Sequence, residues 1–345
     1  TLTGNKCLVD TFDRNFQFNV EHISLAKLAD IFLVAPASAD VIGKIANGIA
    51  DDMLTTTIMA CKCPKLISPA MNTNMFTNPI VQDNLKKLEH YGYEIIQPDS
   101  GYLACGDTGA GKMPSEQVLL NYILRTIAKD KDMAGIKLTV TAGPTREKLD
   151  PVRFLSNNST GKMGYAIAKM AMLRGADVTL ISGKVSLEPV PFVKMVDIVS
   201  AEDMYNAVIK SAKDADIIIK AAAVADYRPS DVSDEKIKKK DGDMSIPLER
   251  TKDIIGTLGS NKRDGLFLCG FSMETEHMLD NSKVKLTKKN LDMIVANNVK
   301  VAGAGFGTDT NVVTVITKDA VEELPMMSKE EVADALLDRI MKARQ

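Results

Sequence analysis

The feature that most restricts the fold of this sequence is a series of short, uninterrupted apolar runs, each followed by a stretch with helical periodicity. In the first part of the chain, the run Ile31–Pro36 comes before a predicted helix from Ala39 to about Ala50, and Lys65–Pro69 is a second run. Runs of this kind are typical of strands that are buried on both faces of a parallel sheet. The pattern therefore predicts an α/β fold with mostly parallel sheets.

The same alternation starts again after a short charged stretch, residues 128–132, which is the predicted linker. Beyond it, Ile136–Thr141 predicts a strand, and residues 161–181 predict a helix followed by the next strand. That order opens a Rossmann-like unit. We therefore expect two doubly wound, Rossmann-like domains, residues 1–128 and residues 134–345.

Composition and charge exclude several classes of protein. A chain of 345 residues exceeds one ordinary core, and a formal net charge of −2 offers no basic excess for nucleic acid. No apolar run approaches the roughly 20 residues that span a bilayer, and the first residues contain no apolar signal region. The five cysteines are odd in number and sparse, which favours a reducing cytoplasm over a disulfide framework.

A candidate phosphate site lies where a predicted strand passes into a predicted helix. Thr141–Arg146 leaves the strand, and Ser156–Gly164 enters the helix, whose unpaired N–H groups and positive dipole end suit an anion. Gly161 and Gly164 let the backbone approach a ligand. A plain helix cap explains the same residues equally well, because the stretch lacks both P-loop spacing and a G-x-G-x-x-G motif.

This stretch becomes more specific when it is considered together with three others. The four segments, in this order, resemble the bacterial phosphopantothenate–cysteine ligases. The segments are 153–164, 221–229, 236–239 and 289–297. The resemblance covers residues 134–345 and implies that CTP activates 4′-phosphopantothenate as an acyl-cytidylate, with release of pyrophosphate, before L-cysteine is joined to it. It also implies Mg²⁺ bound with the triphosphate, whose protein ligands the sequence leaves unknown.

The resemblance assigns roles to individual residues. Asn157 binds the acyl-cytidylate, and Lys236 lies on a flap over the triphosphate. Arg153 holds phosphate, and Asp226 holds the ribose or the base. The small residues 221–223 let their backbone read an edge of the cytosine. The further nucleotide-contacting positions are Gly161, Ala221, Ala222, Ala223, Lys252, Asp253, Ile254, Ile255, Phe271, Lys285 and Lys289.

Three segments of the first part resemble phosphopantothenoylcysteine decarboxylase of the flavoprotein family. They are 20–26, which contains His22, 69–76 just after a predicted strand, and the glycine-rich stretch 101–112 around Cys105. Taken alone, His22 is typical of a structural or surface residue. In the family, FMN oxidises the thiol next to the carboxylate to a thioaldehyde, which gives the decarboxylation the electron sink that it needs.

The resemblance also assigns the residues of this second site. His22 assists oxidation and decarboxylation, Asn72 binds the substrate carboxylate, and Cys105 donates a proton during the reduction. Met75 lines the same pocket, and Ser38 lies in a turn that contacts the flavin. The glycines around Cys105 are expected to form a lid that excludes water.

The start of the chain departs from the family pattern. Complete decarboxylases begin with a strand and a Gly-Ser-Ile-Ala-like turn that receives the FMN phosphate, whereas this sequence starts beyond that point and without Met. We therefore expect it to retain FMN poorly. The family also implies homo-oligomers, with ligase domains in dimers and decarboxylase domains in trimers, and the missing strand puts the trimer in doubt.

Two other functions are compatible with parts of the pattern. A nicotinamide-dependent dehydrogenase needs a G-x-G-x-x-G motif and an acidic residue after the second strand, where Ser-Gly-Lys stands at 182–184. A non-catalytic, flavoprotein-like regulatory subunit would be favoured by loss of His22 or Cys105, and both are present.

Overall fold

The structure, a computed structural model, describes residues 4–5, 7–8, 21–103, 106–239, 244–273, 278–297, 305 and 307–344. The chain divides into two compact units, residues 1–129 and residues 130–345. In the part of the chain that is described, no helix is both long enough and apolar enough to cross a membrane.

The first unit contains a three-stranded parallel sheet in the order β1-β2-β3. Its elements in chain order are α1 (Glu21–Leu28), β1 (Phe32–Ala37), α2 (Ala39–Ala46), α3 (Met53–Ala60), β2 (Lys65–Pro69), α4 (Thr73–Phe76), α5 (Pro79–His90), β3 (Glu94–Ile95), β4 (Asp99–Tyr102), β5 (Thr108–Lys112) and α6 (Glu116–Ile127). The strands predicted from the two apolar runs are confirmed. Helix α2 ends at Ala46 instead of about Ala50, because Asn47 caps it and Gly48 follows with a φ of 71°.

The second unit is built on an eight-stranded sheet in the order β10-β9-β6-β11-β14-β15-β17-β18. Its elements are β6 (Lys137–Ala142), β7 (Glu147–Lys148), β8 (Phe154–Leu155), α7 (Lys162–Leu173), β9 (Asp177–Ser182), β10 (Lys194–Asp197), α8 (Ala201–Ser211), β11 (Ile217–Lys220), β12 (Tyr227–Pro229), β13 (Leu248–Arg250), α9 (Ile254–Ser260), β14 (Phe267–Met273), α10 (Met278–Lys288), β15 (Met293–Asn297), β16 (Thr310–Asn311), β17 (Val313–Thr317), β18 (Val321–Glu323), β19 (Met327–Ser328) and α11 (Lys329–Ala343). The strands from β10 to β15 in this order pair in parallel, and β17 and β18 continue the sheet antiparallel.

Both faces of this sheet are covered, which explains the unbroken apolar runs. Ile217 and Ile219 of β11 pack in a core with α7 and α11, whereas Ile218 between them packs in a second core with α8 and α9. Successive side chains of a strand point to opposite faces, so a strand covered on both sides is apolar throughout. The predicted α/β class with doubly wound, mostly parallel sheets is confirmed.

The strand order places a crevice between β6 and β11. After β6 the chain crosses to α7 on one face of the sheet, and after β11 it crosses to α9 on the other. The two neighbouring strands therefore release the chain in opposite directions at their carboxyl ends. Such a switch point is where open α/β sheets bind ligands.

Helix α7 lies unusually close to β6 at this crevice, and Gly164 makes the approach possible. A Cβ atom added at Gly164 would lie 2.6 Å from the Cβ of Ala142 and 2.9 Å from the carbonyl oxygen of Thr141. The first turn of α7 is thereby held against the end of the strand, where the pocket described below opens.

We expect Gly164→Ala to lower the free energy of unfolding of the second unit by about 1 kcal/mol or more, because overpacking a close contact outweighs the higher helix propensity of alanine. Urea denaturation followed by circular dichroism measures the change. Gly307→Ala is the matched control, since its added Cβ meets no atom within 4 Å. Equal stability of the Gly164 variant and the wild type would contradict the close packing.

Candidate functional site

A pocket of about 320 Å³ opens at the carboxyl edge of the large sheet, at the crevice between β6 and β11. The start of α7, the loop after β11 and the end of β14 form its walls. The sequence-predicted residues that line it are Gly161, Ala221, Ala222, Ala223, Asp226, Ile255, Phe271, Lys285 and Lys289. Residues that are far apart in the sequence are thus brought to one cavity by the strand order alone.

A second pocket of about 360 Å³ adjoins the first. It takes in the predicted residues Lys252, Asp253 and Ile254, and it shares Asp226 and Lys289 with the first pocket. Together the two cavities offer one continuous region for a ligand with several parts, such as a base, a sugar and phosphates.

The loop after β11 is held rigidly against β6. Backbone bridging joins Pro144 to Ala223, and the N–H of Ala223 donates to the carbonyl oxygen of Gly143 at 3.1 Å. The buried hydroxyl of Thr141 accepts from the N–H of Ala222, also at 3.1 Å. Because the N–H groups of Ala222 and Ala223 are already paired, a base contact in this loop has to use other backbone atoms.

Asn157 lies next to this loop and is oriented by two backbone contacts. Its side-chain amide donates to the carbonyl oxygen of Ala223 at 2.7 Å, and its oxygen accepts from the N–H of Ser159 at 3.0 Å. These bonds fix which way the amide faces. An asparagine amide has two N–H donors, so one donor remains for a ligand.

Arg153 and Lys236 lie outside both pockets, and Asp150 connects them. The Asp150 carboxylate, which is buried, accepts from the Arg153 guanidinium at 2.7 Å and from the N–H of Ile237 at 3.2 Å. Arg153 also donates to the carbonyl oxygen of Ile237 at 3.0 Å. Arg153 therefore anchors the segment that carries Lys236, whose own side chain is exposed to solvent.

These contacts change the acidity of Asp150. The hydrogen bonds from Arg153, opposed by burial and assisted by the N–H groups of Val152, Arg153 and Ile237, hold the pKa of the Asp150 carboxyl well below its usual range. Asp150 is therefore ionised wherever the protein is folded near neutral pH.

Lysine and aspartate side chains balance each other on the wall that the pockets share. Lys289 pairs with Asp253 at 2.9 Å. Burial raises the pKa of Asp253, whereas the hydrogen bonds from Lys289 and from the N–H of Gly256 lower it. The lowering is the larger effect, so the net pKa lies below the usual value. Lys252 instead turns to Glu202 at 2.7 Å and to the ring of Tyr205.

In the first unit, Ser38 and Asn72 lie at the carboxyl edge of the small sheet. Ser38 follows β1 and accepts from the N–H of Val41 at 3.3 Å, capping α2. Asn72 follows β2, and its amide donates to the Asp107 carboxylate at 2.9 Å, which ties the β4–β5 hairpin to this loop. His22 is half-buried in α1.

Met75 is exposed on α4 near this edge. Cys105 lies outside the described residues. Among the described residues, the buried hydroxyls of Ser68 and Thr73 have no hydrogen-bond partner. Ser68 lies near the end of β2 and Thr73 at the start of α4, and unpaired hydroxyls at this edge fit a polar planar group such as a flavin edge.

Sequence reasoning did not single out Lys220, Lys162 or Lys329, which also line the main pocket. Lys220 had a usable signal, because it is a charged residue directly after the buried run Ile217–Ile219. Lys329 had none, since it comes from the far end of the chain. Among the described side chains, no group of three His, Cys, Asp or Glu residues converges to hold a metal ion.

Comparisons with known proteins match both units. The flavoprotein family matches residues 1–128, and the family of the DNA/pantothenate metabolism flavoprotein C-terminal domain matches residues 133–343. The coenzyme A biosynthesis bifunctional protein CoaBC of Bacillus subtilis (strain 168) is 47% identical over 343 residues, covering 98% of this chain and 84% of that protein.

Two further matches are to a decarboxylase and to a single domain of a CoaBC protein. A cysteine/cysteine sulfinic acid decarboxylase of an unknown prokaryotic organism is 42% identical over 347 residues, covering 99% of this chain and 97% of that protein. The crystal structure of the C-terminal domain of a CoaBC protein superposes with a TM-score of 0.53 at 44% identity, covering 62% of this chain and 97% of that domain.

We expect Asp150→Asn to destabilise the second unit most at neutral pH. A carboxyl with a lowered native pKa stabilises the fold above its unfolded pKa of about 3.9, and this contribution is lost as the pH falls through that value towards the native pKa. The difference in urea midpoint between wild type and variant should therefore shrink from pH 5 to pH 3. Asp231→Asn, at an exposed position of the same segment, is the control. A difference that stays constant or grows on acidification would contradict the Asp150–Arg153–Ile237 anchor.

Proposed function

The chain belongs to the family of coenzyme A biosynthesis bifunctional proteins CoaBC, and we propose that its second unit joins L-cysteine to 4′-phosphopantothenate with CTP and its first unit decarboxylates the product. It is an enzyme with the ligase and decarboxylase activities of that family. One observation carries the CTP-dependent step: three of the four segments that resemble a CTP-dependent ligase meet at one crevice of the sheet, and Asp150 holds the backbone of the fourth at Ile237.

The ligase chemistry must first activate a carboxylate. The 4′-phosphopantothenate carboxylate attacks the α-phosphorus of CTP, pyrophosphate leaves, and the acyl-cytidylate forms. The cysteine amine then attacks the acyl carbon, and CMP leaves. Negative charge grows on the departing phosphates, so lysines fixed beforehand around the pocket lower the barrier. Lys285 and Lys289 lie on its wall, and Lys236 is carried by the neighbouring anchored segment.

Asn157 is suited to hold the acyl-cytidylate. Its amide is fixed by Ala223 and Ser159, so its remaining N–H points in a set direction without further loss of side-chain freedom. Arg153 acts through its contacts with Asp150 and Ile237, which set where the Lys236 segment lies. The phosphate contact that the resemblance assigns to Arg153 stays a prediction.

Mg²⁺ is proposed to enter with CTP, bound chiefly by phosphate oxygens and water, as this cation usually is. Asp226 lines both pockets and is the carboxylate placed to hold the nucleotide at its ribose or base. The cytoplasmic location, the ligase dimer and the decarboxylase trimer stay predictions.

For the decarboxylase step, Asn72 is proposed to bind the substrate carboxylate and His22 to assist the loss of CO₂. When bound, FMN supplies the oxidation of the substrate thiol and its later reversal. Ser38, Ser68 and Thr73 would hold the flavin edge. The Asn72 amide donates to Asp107 at 2.9 Å, so the hairpin that bears Asp107 helps to orient this amide towards a substrate carboxylate. The proton donated by Cys105 stays a prediction.

The match to a cysteine/cysteine sulfinic acid decarboxylase supports a second candidate, direct decarboxylation of free cysteine. That reaction needs neither CTP nor 4′-phosphopantothenate. Release of CO₂ from cysteine alone would therefore separate it from the proposed pathway.

We expect pyrophosphate release from the purified chain to need CTP, 4′-phosphopantothenate and cysteine together, and to be slower with ATP. Lys236→Met should lower kcat on the order of 100-fold, because a cation over the reacting phosphates acts mainly in the transition state. Lys239→Met, also exposed in the same segment, should stay close to wild type. A coupled pyrophosphate assay measures the rates of the wild type with CTP, of the wild type with ATP, and of each lysine variant with CTP.

Pyrophosphate release that does not depend on cysteine or 4′-phosphopantothenate would contradict the proposed ligase. Equal losses in the two lysine variants would contradict the role of Lys236 and leave the ligase assignment standing.

A further inference from the structure

We propose that Lys220, at the carboxyl end of β11, is an additional ligand of the triphosphate in the nucleotide pocket. This inference deepens the proposed function and rests on it. Lys220 is the only residue of β11 that is not apolar, and it follows three isoleucines that are each no more than 1% exposed. Lys220 therefore places a charge at the end of a strand whose other side chains are all buried.

The register of β11 aims the Lys220 side chain at the site. Lys220 lies opposite Thr141 of β6 and Gly270 of β14, so it stands at the mouth of the crevice. Alternation along the strand puts it on the same face as Ile218, towards α9. Its side chain lines both adjoining pockets together with Asp226 and Lys289.

In the part of the chain that the structure describes, the Lys220 ammonium forms no hydrogen bond and no ion pair. The nearby carboxylate of Asp253 is already paired with Lys289 at 2.9 Å. A partly buried ammonium without a partner is costly, because the interior of a protein solvates it poorly. A lysine kept under these conditions is suited to an anion that arrives from outside.

The charges around Lys220 are mixed but leave a positive excess. Burial, followed by the charge of Lys289 and then that of Lys285, lowers the pKa of Lys220, while Asp253 and Asp226 raise it. A bound polyphosphate would reverse this effect and neutralise several lysines at once. Pyrophosphate chemistry in the same pocket requires such a concentration of positive charge.

The phosphates are favoured over the base as the target of Lys220. An ammonium is a compact point charge with three donors and no acceptor, which suits phosphate oxygens that can be approached from any side. It clusters with Lys285 and Lys289, both on the same pocket wall. A base edge is read instead by donors and acceptors in a fixed plane.

The test compares Lys220→Met, which keeps the length and apolar stem of the side chain, with Lys220→Arg and with Lys210→Met. Lys210 is exposed on α8 and lines neither pocket. Calorimetric titration gives the Kd of CTP without 4′-phosphopantothenate. Competition gives the inhibition constant of inorganic triphosphate, which has no base or ribose.

We expect Lys220→Met to weaken both CTP and inorganic triphosphate by about tenfold or more, the effect of one lost charged hydrogen bond. Lys220→Arg should recover part of the affinity, and Lys210→Met should bind like wild type. The melting temperature of Lys220→Met without nucleotide should stay equal to that of wild type or rise, because an unpaired charge has been removed.

Unchanged affinity of Lys220→Met for inorganic triphosphate would overturn the inference, as would a fall in affinity that comes with a lower melting temperature. If the wild type binds CTP and Lys220→Met binds it equally well, only the role of Lys220 fails. If the wild type itself binds no CTP, the proposed function fails as well.

Discussion

The contact between the exits of β6 and β11 is the constraint on which the rest of the second unit depends. Two neighbouring parallel strands send the chain to opposite faces, and their first residues beyond the sheet must still satisfy their backbone groups. Thr141 and Thr145, both fully buried, do this with their hydroxyls, which accept from the N–H groups of Ala222 and Ala225. The crevice is therefore rigid without being closed by side chains.

That rigidity determines how the chemistry is distributed. Asn157 and the alanines after β11, which the proposed reaction needs in fixed positions, are bound to backbone at the crevice itself. The segment with Lys236 is attached farther out, through the Asp150 carboxylate and Arg153. A buried carboxylate that ties together three backbone N–H groups and a guanidinium can position a segment while leaving its lysine in solvent. In the proposed reaction, the preorganised pocket contributes Lys285 and Lys289, and the separate segment with Lys236 adds further charge.

Much of this could be predicted from the sequence, and the limits have physical causes. The runs Ile31–Pro36 and Ile136–Thr141 predicted strands correctly because burial on both faces leaves a clear apolar signal. The end of α2 was misplaced because Asn47 acts as a cap, which periodicity does not reveal. The use of Arg153 as an anchor depends on Ile237, which is distant in sequence and adjacent only in the fold.

At the candidate site too, some features could be predicted from the sequence and others could not. Motif residues at or near strand ends, such as Ala221 and Phe271, line one pocket, and their contact with a nucleotide stays a prediction. Lys329 reached that pocket from α11, where no local pattern marks it. The sequence also could not show that the N–H groups of Ala222 and Ala223 are already hydrogen-bonded. Their acceptors lie across the crevice, and only the strand order brings them close.

The most direct test of the account is a crystal structure of the chain with CTP and Mg²⁺. The account predicts the triphosphate beside Lys220, Lys285 and Lys289, with the base or ribose at Asp226 in the crevice between β6 and β11. CTP bound at another part of the surface, with this pocket empty of it, would contradict the central claim that the strand exits build the nucleotide site.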